Sequence, residues 1–361
     1  MPLTAAPRRA ALLLVRRCDI IVNRAPAPPR HRRAKRTLAA FVLAVLFVNF
    51  GLSLGMDTVA PTLRDPEYGR KLSRLRADPR PAIVVLGSSR AAMGFRPECA
   101  GEGTRLFNFA QVGSGPVMMV MTLRRLLADG AKPSAIVLEY WPAFLREDGP
   151  YCEEVRIDKH RLRAVDVPFV RDYFEHADAT EATMRDIRVL PWSSHRLRLM
   201  SQAFPGWLRW DRRMDAAWQK MDADGWLPGL ELDPSPEDRV LRHEFAAQYY
   251  RPLFAAFRVD PLADRALREL VMLCRTHGIP VAFTWLPESS EFAEWLPPEA
   301  ACEGECYLEA LRGELGVPLI DARGWLADRH IADGFHPTQP GAAELSRRLG
   351  PAIRKTFASR P

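Results

Sequence analysis

No charged side chain occurs between Arg36 and Asp57, over the run TLAAFVLAVLFVNFGLSLGM. About 20 such residues, at ~1.5 Å each in a helix, match the ~30 Å hydrocarbon core of a bilayer. Basic residues flank only the amino side, at Arg30, Arg32, Arg33, Lys35 and Arg36. The positive-inside rule puts that side in the cytoplasm and everything after the run across the membrane. Residues 1–36 are thus expected to be a basic cytoplasmic tail and residues 37–56 a single-pass anchor in the inner membrane. Residues 57–361 are expected to form an extracytoplasmic domain. A cleaved signal peptide is the competing reading. The long tail and the poor mature start at Val59-Ala60-Pro61 weigh against it.

The charge balance follows from this division. The 361-residue chain carries a net +7, yet the tail alone holds ten Arg and Lys against the single acid Asp19. The rest is slightly acidic, so no nucleic-acid face is expected. Ala-Pro-Ala-Pro-Pro at 25–29 is linker composition, and an apolar segment at 11–22 is a candidate for lying on the inner membrane surface. Cys18 falls in the tail, while Cys99, Cys152, Cys274, Cys302 and Cys306 fall beyond the anchor. An odd number cannot all pair internally; Cys302 and Cys306, in CEGEC, are close enough for a local disulfide.

Beyond the anchor, residues 65–77 read as a helix ended by Asp78-Pro79, and Ala82-Ile83-Val84-Val85-Leu86 as a strand buried on both faces. A second strand is expected at 105–110, a helix at 117–127 and a third strand at 135–140. The pattern then lapses, and residues 145–260 read as a helical insertion with Trp192, Trp207, Trp210, Trp218 and Trp226. Those tryptophans could line a groove, touch the membrane surface or form the insertion's own core, and core packing is the leading expectation. Alternation resumes with a helix at 262–277, a strand at 280–285, a helix at 306–315, a strand at 317–320 and a last helix at 342–357. Strands alternating with helices predict a three-layer α/β domain with a parallel sheet.

Chemistry is expected at the carboxyl ends of the strands. The first strand ends in Gly87-Ser88-Ser89, which alone reads as a helix cap more readily than as a nucleophile. Before the last helix stands Asp333-Gly334-Phe335-His336. Aspartate and histidine three apart on a turn can face one cleft. The imidazole can take a serine proton on one nitrogen while the carboxylate fixes the tautomer through the other.

Gly87-Ser88-Ser89, Asn108-Phe109-Ala110-Gln111-Val112-Gly113 and Asp333-x-x-His336, in that order at the strand ends, resemble the SGNH (GDSL-like) hydrolase superfamily. The resemblance covers residues 80–142 and 262–357 and implies a flavodoxin-like α/β sheet with a Ser-His-Asp arrangement. It implies Ser89 as nucleophile, His336 as base and Asp333 as orienter, with the N–H groups of Ser89 and Gly113 in the oxyanion hole. The family's third block supplies an asparagine side chain to that hole. Here the third strand ends in Glu139-Tyr140-Trp141-Pro142 instead, with no such residue.

Together with the anchor, the resemblance narrows to exported proteins that assist O-acylation of envelope polymers, such as the D-alanine transfer protein of teichoic-acid modification and the alginate O-acetylation proteins. It implies a serine O-acyltransferase or esterase, an envelope polysaccharide acceptor and a multi-pass membrane O-acyltransferase as partner, with no cofactor. The alternative is a non-catalytic accessory or binding protein on the same fold. Other residues have plainer roles beside the tempting ones. Ser88 can cap a helix, Arg90 can bind an anion or tie loops together, and Glu288 and Ser289 lie on the functional edge in a turn that needs no chemistry. His330 reads as a surface residue, and His160, His176, His195 and His243 lack trustworthy ligand spacing. No histidine–aspartate cluster beyond 333–336 suits a metal.

Overall fold

The structure is a computed structural model that describes residues 30–58, 64–146, 151–208, 220–228, 236–255 and 257–358. The tail up to residue 29, with Cys18 and the segment 11–22, lies outside the described residues, as do Val59-Ala60-Pro61, Trp210 and Trp218. Contacts divide the chain into Met1–Val48 and Asn49–Pro361. Among described residues the first unit holds only the amino-terminal part of helix α1 (Arg30–Thr58), with Leu38, Phe41, Leu43, Leu46 and Phe47 exposed. By length and composition the Arg33–Met56 part of α1 can cross a membrane.

The second unit is built on five parallel strands: β1 (Ala82–Leu86), β2 (Arg105–Asn108), β3 (Ala135–Tyr140), β4 (Val281–Trp285) and β5 (Leu319–Asp321). They lie in the order β2-β1-β3-β4-β5, the flavodoxin-like order, which reverses direction of travel between β1 and β3. The helices used below are α2 (Pro66–Ala77), α3 (Ser89–Gly94), α4 (Pro116–Ala128), α5 (Val167–Tyr173), α6 (Ala177–Val189), α7 (Pro191–Ala203), α8 (Pro236–Ala255), α9 (Pro261–Thr276), α10 (Pro298–Leu315) and α11 (Gln339–Ala358).

The unbroken apolar run of β1 is explained by two cores. Ala82, Val84 and Leu86 face one, with Val117, Leu123 and Leu126 of α4 and Leu267, Leu270 and Val271 of α9. Ile83 and Val85 point the other way, to Ala91 and Ala92 of α3 and Leu345, Leu349 and Ile353 of α11. Side chains alternate along a strand, so only a run apolar at every position serves a sheet covered on both faces.

The differences from the expected elements have local causes. The second strand stops at Asn108, not at 110, because the Asn108 side chain accepts from the Ala110 N–H at 3.1 Å and turns the chain. The helix expected at 306–315 starts two turns earlier, at Pro298, a residue suited to a first helical turn. The CEGEC segment is therefore helix rather than loop. Cys302 and Cys306 lie one turn apart with sulfurs at 3.6 Å and are both free, so the local disulfide is not formed. The last helix begins at Gln339, where Thr338 Oγ1 accepts from the Gly341 N–H.

Between β3 and β4 the described residues include α5 to α8 and no strand. Among the described residues Trp192, Trp207 and Trp226 do not share one core, contrary to the leading expectation. Trp226 is buried and donates its ring N–H to the Met93 carbonyl at 2.6 Å, whereas Trp192 is 48% and Trp207 75% exposed. The segment 220–228 returns to the main sheet. Leu227 N–H donates to the Ala92 carbonyl, and Gly225, at φ +84, lies where a side chain would meet the Asn108 carbonyl at 2.3 Å. The buried Lys71 ammonium donates to the carbonyls of both Asn108 (3.0 Å) and Gly225 (2.7 Å).

Two glycines in helices test this packing from opposite sides. A methyl on Gly350 of α11 would sit 2.4 Å from Ala100 Cβ and 2.5 Å from its carbonyl oxygen. Gly350→Ala is expected to cost about 2 kcal/mol by overpacking. Gly313 of α10 has open space around it, so Gly313→Ala is expected to gain about 0.5–1 kcal/mol. Urea midpoints of the full chain in detergent check both, and shifts of the same sign would contradict the packing described.

Candidate active site

The end of β1 is shaped by close approach. A Cβ on Gly87 would lie 2.5 Å from Glu139 Oε2 and 2.9 Å from Ala91 Cβ, so only glycine fits. Ser88 follows as the N-cap of α3, its Oγ accepting from the Arg90 N–H at 3.1 Å. The plainer role expected for Ser88 is therefore the observed one. Ser89 is the first residue of α3 and remains partly exposed, while Ser88 is buried.

From beyond β5 a tight turn delivers two more groups. Ile331 pairs with Pro337 in a short bridge, Ala332 N–H donates to the His336 carbonyl, and Gly334 turns the chain at φ +105. Asp333 Oδ1 accepts from the backbone N–H of His336 at 2.9 Å, and Asp333 Oδ2 lies 2.7 Å from His336 Nδ1. His336 Nε2 lies 2.7 Å from Ser89 Oγ. Three side chains from the two ends of the domain, 247 residues apart in the case of serine and histidine, thus form one hydrogen-bonded chain. Burial alone would raise the Asp333 carboxyl. The facing His336 and the N–H groups of 335 and 336 outweigh it and hold the group below the ordinary carboxylate range. An ionised Asp333 accepts from Nδ1–H and leaves Nε2 as the acceptor facing the serine hydroxyl.

Aromatic rings hold the turn. Phe335 lies against the His336 imidazole with centroids 4.3 Å apart and ring planes tilted by 46°. It also meets Trp141, Phe292 and Tyr250 at 5.0–5.4 Å. Tyr250 belongs to α8, so the insertion buttresses the turn that carries the histidine. Beside the turn, α8 and the segment after β4 border a groove of about 980 Å³ lined by Arg239, His243, Glu244, Arg251, Glu291 and Trp295. His243 faces Glu291 at 3.3 Å and lies behind Gly334, not in the Ser89 chain.

Gly113 sits in the loop after β2 at φ +78, exposed, with open space where a side chain would be. The loop is tied to the nucleophile turn by Gln111 N–H donating to the Gly87 carbonyl at 2.9 Å. Among the described residues no protein group accepts from the backbone N–H of Gly113 or of Ser89. The chain contains only three asparagines, Asn23, Asn49 and Asn108. Asn108 is consumed in structure, its amide donating to the carbonyls of Ala91 (2.8 Å) and Phe95 (2.6 Å). No asparagine among the described residues therefore stands in as a side-chain donor beside Ser89.

The position where that donor was sought holds Glu139, a role the sequence reading missed. Its Oε2 accepts from both Ser88 N–H (2.7 Å) and Ser88 Oγ–H (3.0 Å). Its Oε1 faces Arg90 Nη1 at 3.6 Å, and Arg90 Nη2 faces Glu288 Oε1 at 3.3 Å. Arg90 Nη2 also donates to the carbonyls of Leu286 (2.9 Å) and Pro287 (3.1 Å), and its guanidinium lies 4.4 Å from the Trp141 ring centre. Arg90 thus ties loops together rather than facing solvent for an anion; its side chain is fully buried. Burial pushes both Glu139 and Glu288 above the ordinary carboxylate range, against the pull of Arg90. Ser289 caps the next turn and donates its N–H to the Gly334 carbonyl, joining this cluster to the histidine turn.

The remaining histidines stand apart. His160 pairs with Asp158 at 2.7 Å, His176 with Glu154 at 3.6 Å, and His195 packs at 5.1 Å from the His160 ring. His330 is half-buried and its backbone carbonyl accepts from Thr338 N–H. No group of three potential metal ligands occurs among the described residues.

No family model matches the chain, and no curated protein does. Solved structures do match; among them is a Bacteroides fragilis protein described as a "putative acylhydrolase", 12% identical, covering 80% of this chain and 96% of its own, with a TM-score of 0.37. A likeness that loose carries no statement about activity.

The Arg90 cluster can be tested by its energetics. Arg90→Met leaves two buried carboxylates without their cation and is expected to cost about 3–5 kcal/mol. Glu139→Gln introduced into Arg90→Met should cost less than in the parent, because the unpaired charge is then removed. Additive costs in urea unfolding would show that the two side chains do not interact.

Proposed function

We propose that the chain is a membrane-anchored serine acyl-ester enzyme, an esterase or O-acyltransferase working through Ser89, His336 and Asp333. The observation that carries this is the pair of 2.7 Å contacts, Ser89 Oγ to His336 Nε2 and His336 Nδ1 to Asp333 Oδ2. They match the reach a nucleophile, its base and the base's orienter require. His336 takes the hydroxyl proton as Ser89 Oγ attacks an acyl carbonyl. The oxyanion that forms is met by the free N–H groups of Ser89 and Gly113. His336 returns the proton to the departing oxygen, which leaves an acyl group on Ser89. Water, or the hydroxyl of an acceptor, then gives its proton to His336 and takes the acyl group, and His336 passes that proton to Ser89 Oγ as the acyl–Oγ bond breaks, which restores the serine hydroxyl.

The α1 helix supports a place in the inner membrane, with the amino terminus in the cytoplasm and the domain on the far side. On that side activated acyl donors do not diffuse from the cytosol, which favours transfer from a multi-pass membrane O-acyltransferase to an envelope polysaccharide. A second reading, a non-catalytic accessory protein of such a system, is favoured by the missing asparagine donor. The loss of one oxyanion donor costs about 100- to 1000-fold in rate.

Hydrolysis of p-nitrophenyl acetate by the full chain in detergent checks the proposal. Ser89→Ala and His336→Ala are expected to fall to background, and Asp333→Asn to fall about 10⁴-fold in kcat. Parental turnover in Ser89→Ala would overturn the assignment. A chain altered at all three positions that still supports acceptor acylation in cells lacking the parent would establish the accessory reading instead.

A further inference from the structure

The last two turns of α1 are packed on one face only. Asn49 is 6% and Met56 1% exposed, with Leu52 and Ser53 partly covered between them, a helical i, i+3, i+4, i+7 stripe. On the opposite face of the same turns Phe50 is 69% and Leu54 56% exposed. Asn49 Oδ1 accepts from the Trp192 backbone N–H at 3.2 Å. Trp192 is in the first turn of α7, at the tip of the hairpin that α6 and α7 form around Leu190. That tip is apolar and open: Val189 is 68%, Leu190 50% and Trp192 48% exposed.

Depth along the apolar run decides what surrounds this tip. Asn49 lies seven residues, about 10 Å at ~1.5 Å per residue, before the far end of the run at Met56. If the bilayer ended at Asn49, only twelve residues, about 18 Å, would remain to cross a ~30 Å core. Phe50 and Leu54 would then face water as well. If the core extends to Met56, a polar asparagine lies within hydrocarbon, where it needs a partner. Trp192 offers one: an N–H in a first helical turn has no partner within its own helix. The Asn49 side-chain oxygen and the Trp192 N–H satisfy each other there. Arg185, Arg188 and Arg196, against the single acid Asp186, stand within about two turns of the tip, where cations meet lipid phosphates.

We propose that the α6–α7 tip, Val189 to Trp192, inserts among the acyl chains of the leaflet that the carboxyl-terminal end of α1 reaches, as a second hold on the bilayer. This rests on residues 37–56 being a membrane anchor. The test uses the full chain, its native cysteines replaced by serine, in phosphatidylcholine–phosphatidylglycerol vesicles. Nitroxides are placed singly by Val189→Cys, Leu190→Cys, Leu43→Cys in mid-span and Glu309→Cys on the exposed face of α10. Accessibility to oxygen is compared with accessibility to a water-soluble nickel chelate. The oxygen-to-nickel ratio at 189 and 190 is expected to be several-fold above that at 309 and to approach that at 43. A lipid-like ratio at 43 with a water-like ratio at the tip would overturn the insertion and leave the anchor standing. A water-like ratio at 43 would overturn the anchor and the insertion with it. Shielding of the tip from both reagents would mean that protein, such as a second copy of the chain, covers it, and would also overturn the proposal.

Discussion

A single buried cation, Arg90, holds together the edge of the sheet on which the candidate site is built. Its guanidinium lies between Glu139 at the end of β3 and Glu288 after β4, donates to two carbonyls of the β4 loop and lies against Trp141. Arg90 itself follows Ser89, so strands β1, β3 and β4 meet at one residue beside the nucleophile candidate. A buried charge is tolerated only with partners, and removing one partner costs several kcal/mol. Here that requirement works as a geometric constraint. Glu139 faces Arg90 at 3.6 Å through one oxygen and accepts both polar hydrogens of Ser88 through the other. Ser89 is the next residue, the first of α3.

The second constraint is the reach between the two ends of the domain. The histidine turn is not fixed by its own backbone alone. Ser289 donates to Gly334, and the rings of Trp141, Phe292 and Tyr250 pack around Phe335. The helical insertion is thereby part of the site's support. Glu153, from its first part, accepts from the N–H groups of Val117 and Met118 and caps α4. Residues 220–228 lie against the end of β2, with Lys71 bridging the two carbonyls there. Removal of the insertion would expose these groups together.

What could be seen in the chain beforehand follows from which interactions are local. The first strand was legible to the residue because every position between the flanking breaks is apolar, and the third because an apolar run, Ala135 to Leu138, leads into Glu139-Tyr140 before the break at Trp141-Pro142. The Asp333–His336 pair was legible because its two members are three residues apart on a glycine turn. Ser89 stood out in the sequence only through the Asp333–His336 pair, since Gly-Ser-Ser alone reads as a cap, and Ser88 does act as one. Glu139 was not legible in its role. It ends an apolar strand, and its partners lie 49 and 51 positions away, with no pattern linking them. The start of α10 was missed: the expected helix began at Cys306, whereas Pro298 opens it. The exposed Trp192 and Trp207 differ from the expectation of a shared core because composition identifies rings that prefer an apolar setting but not which positions are covered.

The proposed nucleophile is Ser89, activated by His336, and not its neighbour Ser88. It is tested most directly by treating the full chain in detergent with a fluorophosphonate and locating the adduct by peptide mass spectrometry. One phosphonylated residue, Ser89, is expected, with loss of the adduct in His336→Ala. An adduct on Ser88, or an unmodified chain under conditions that label a known serine esterase, would contradict it.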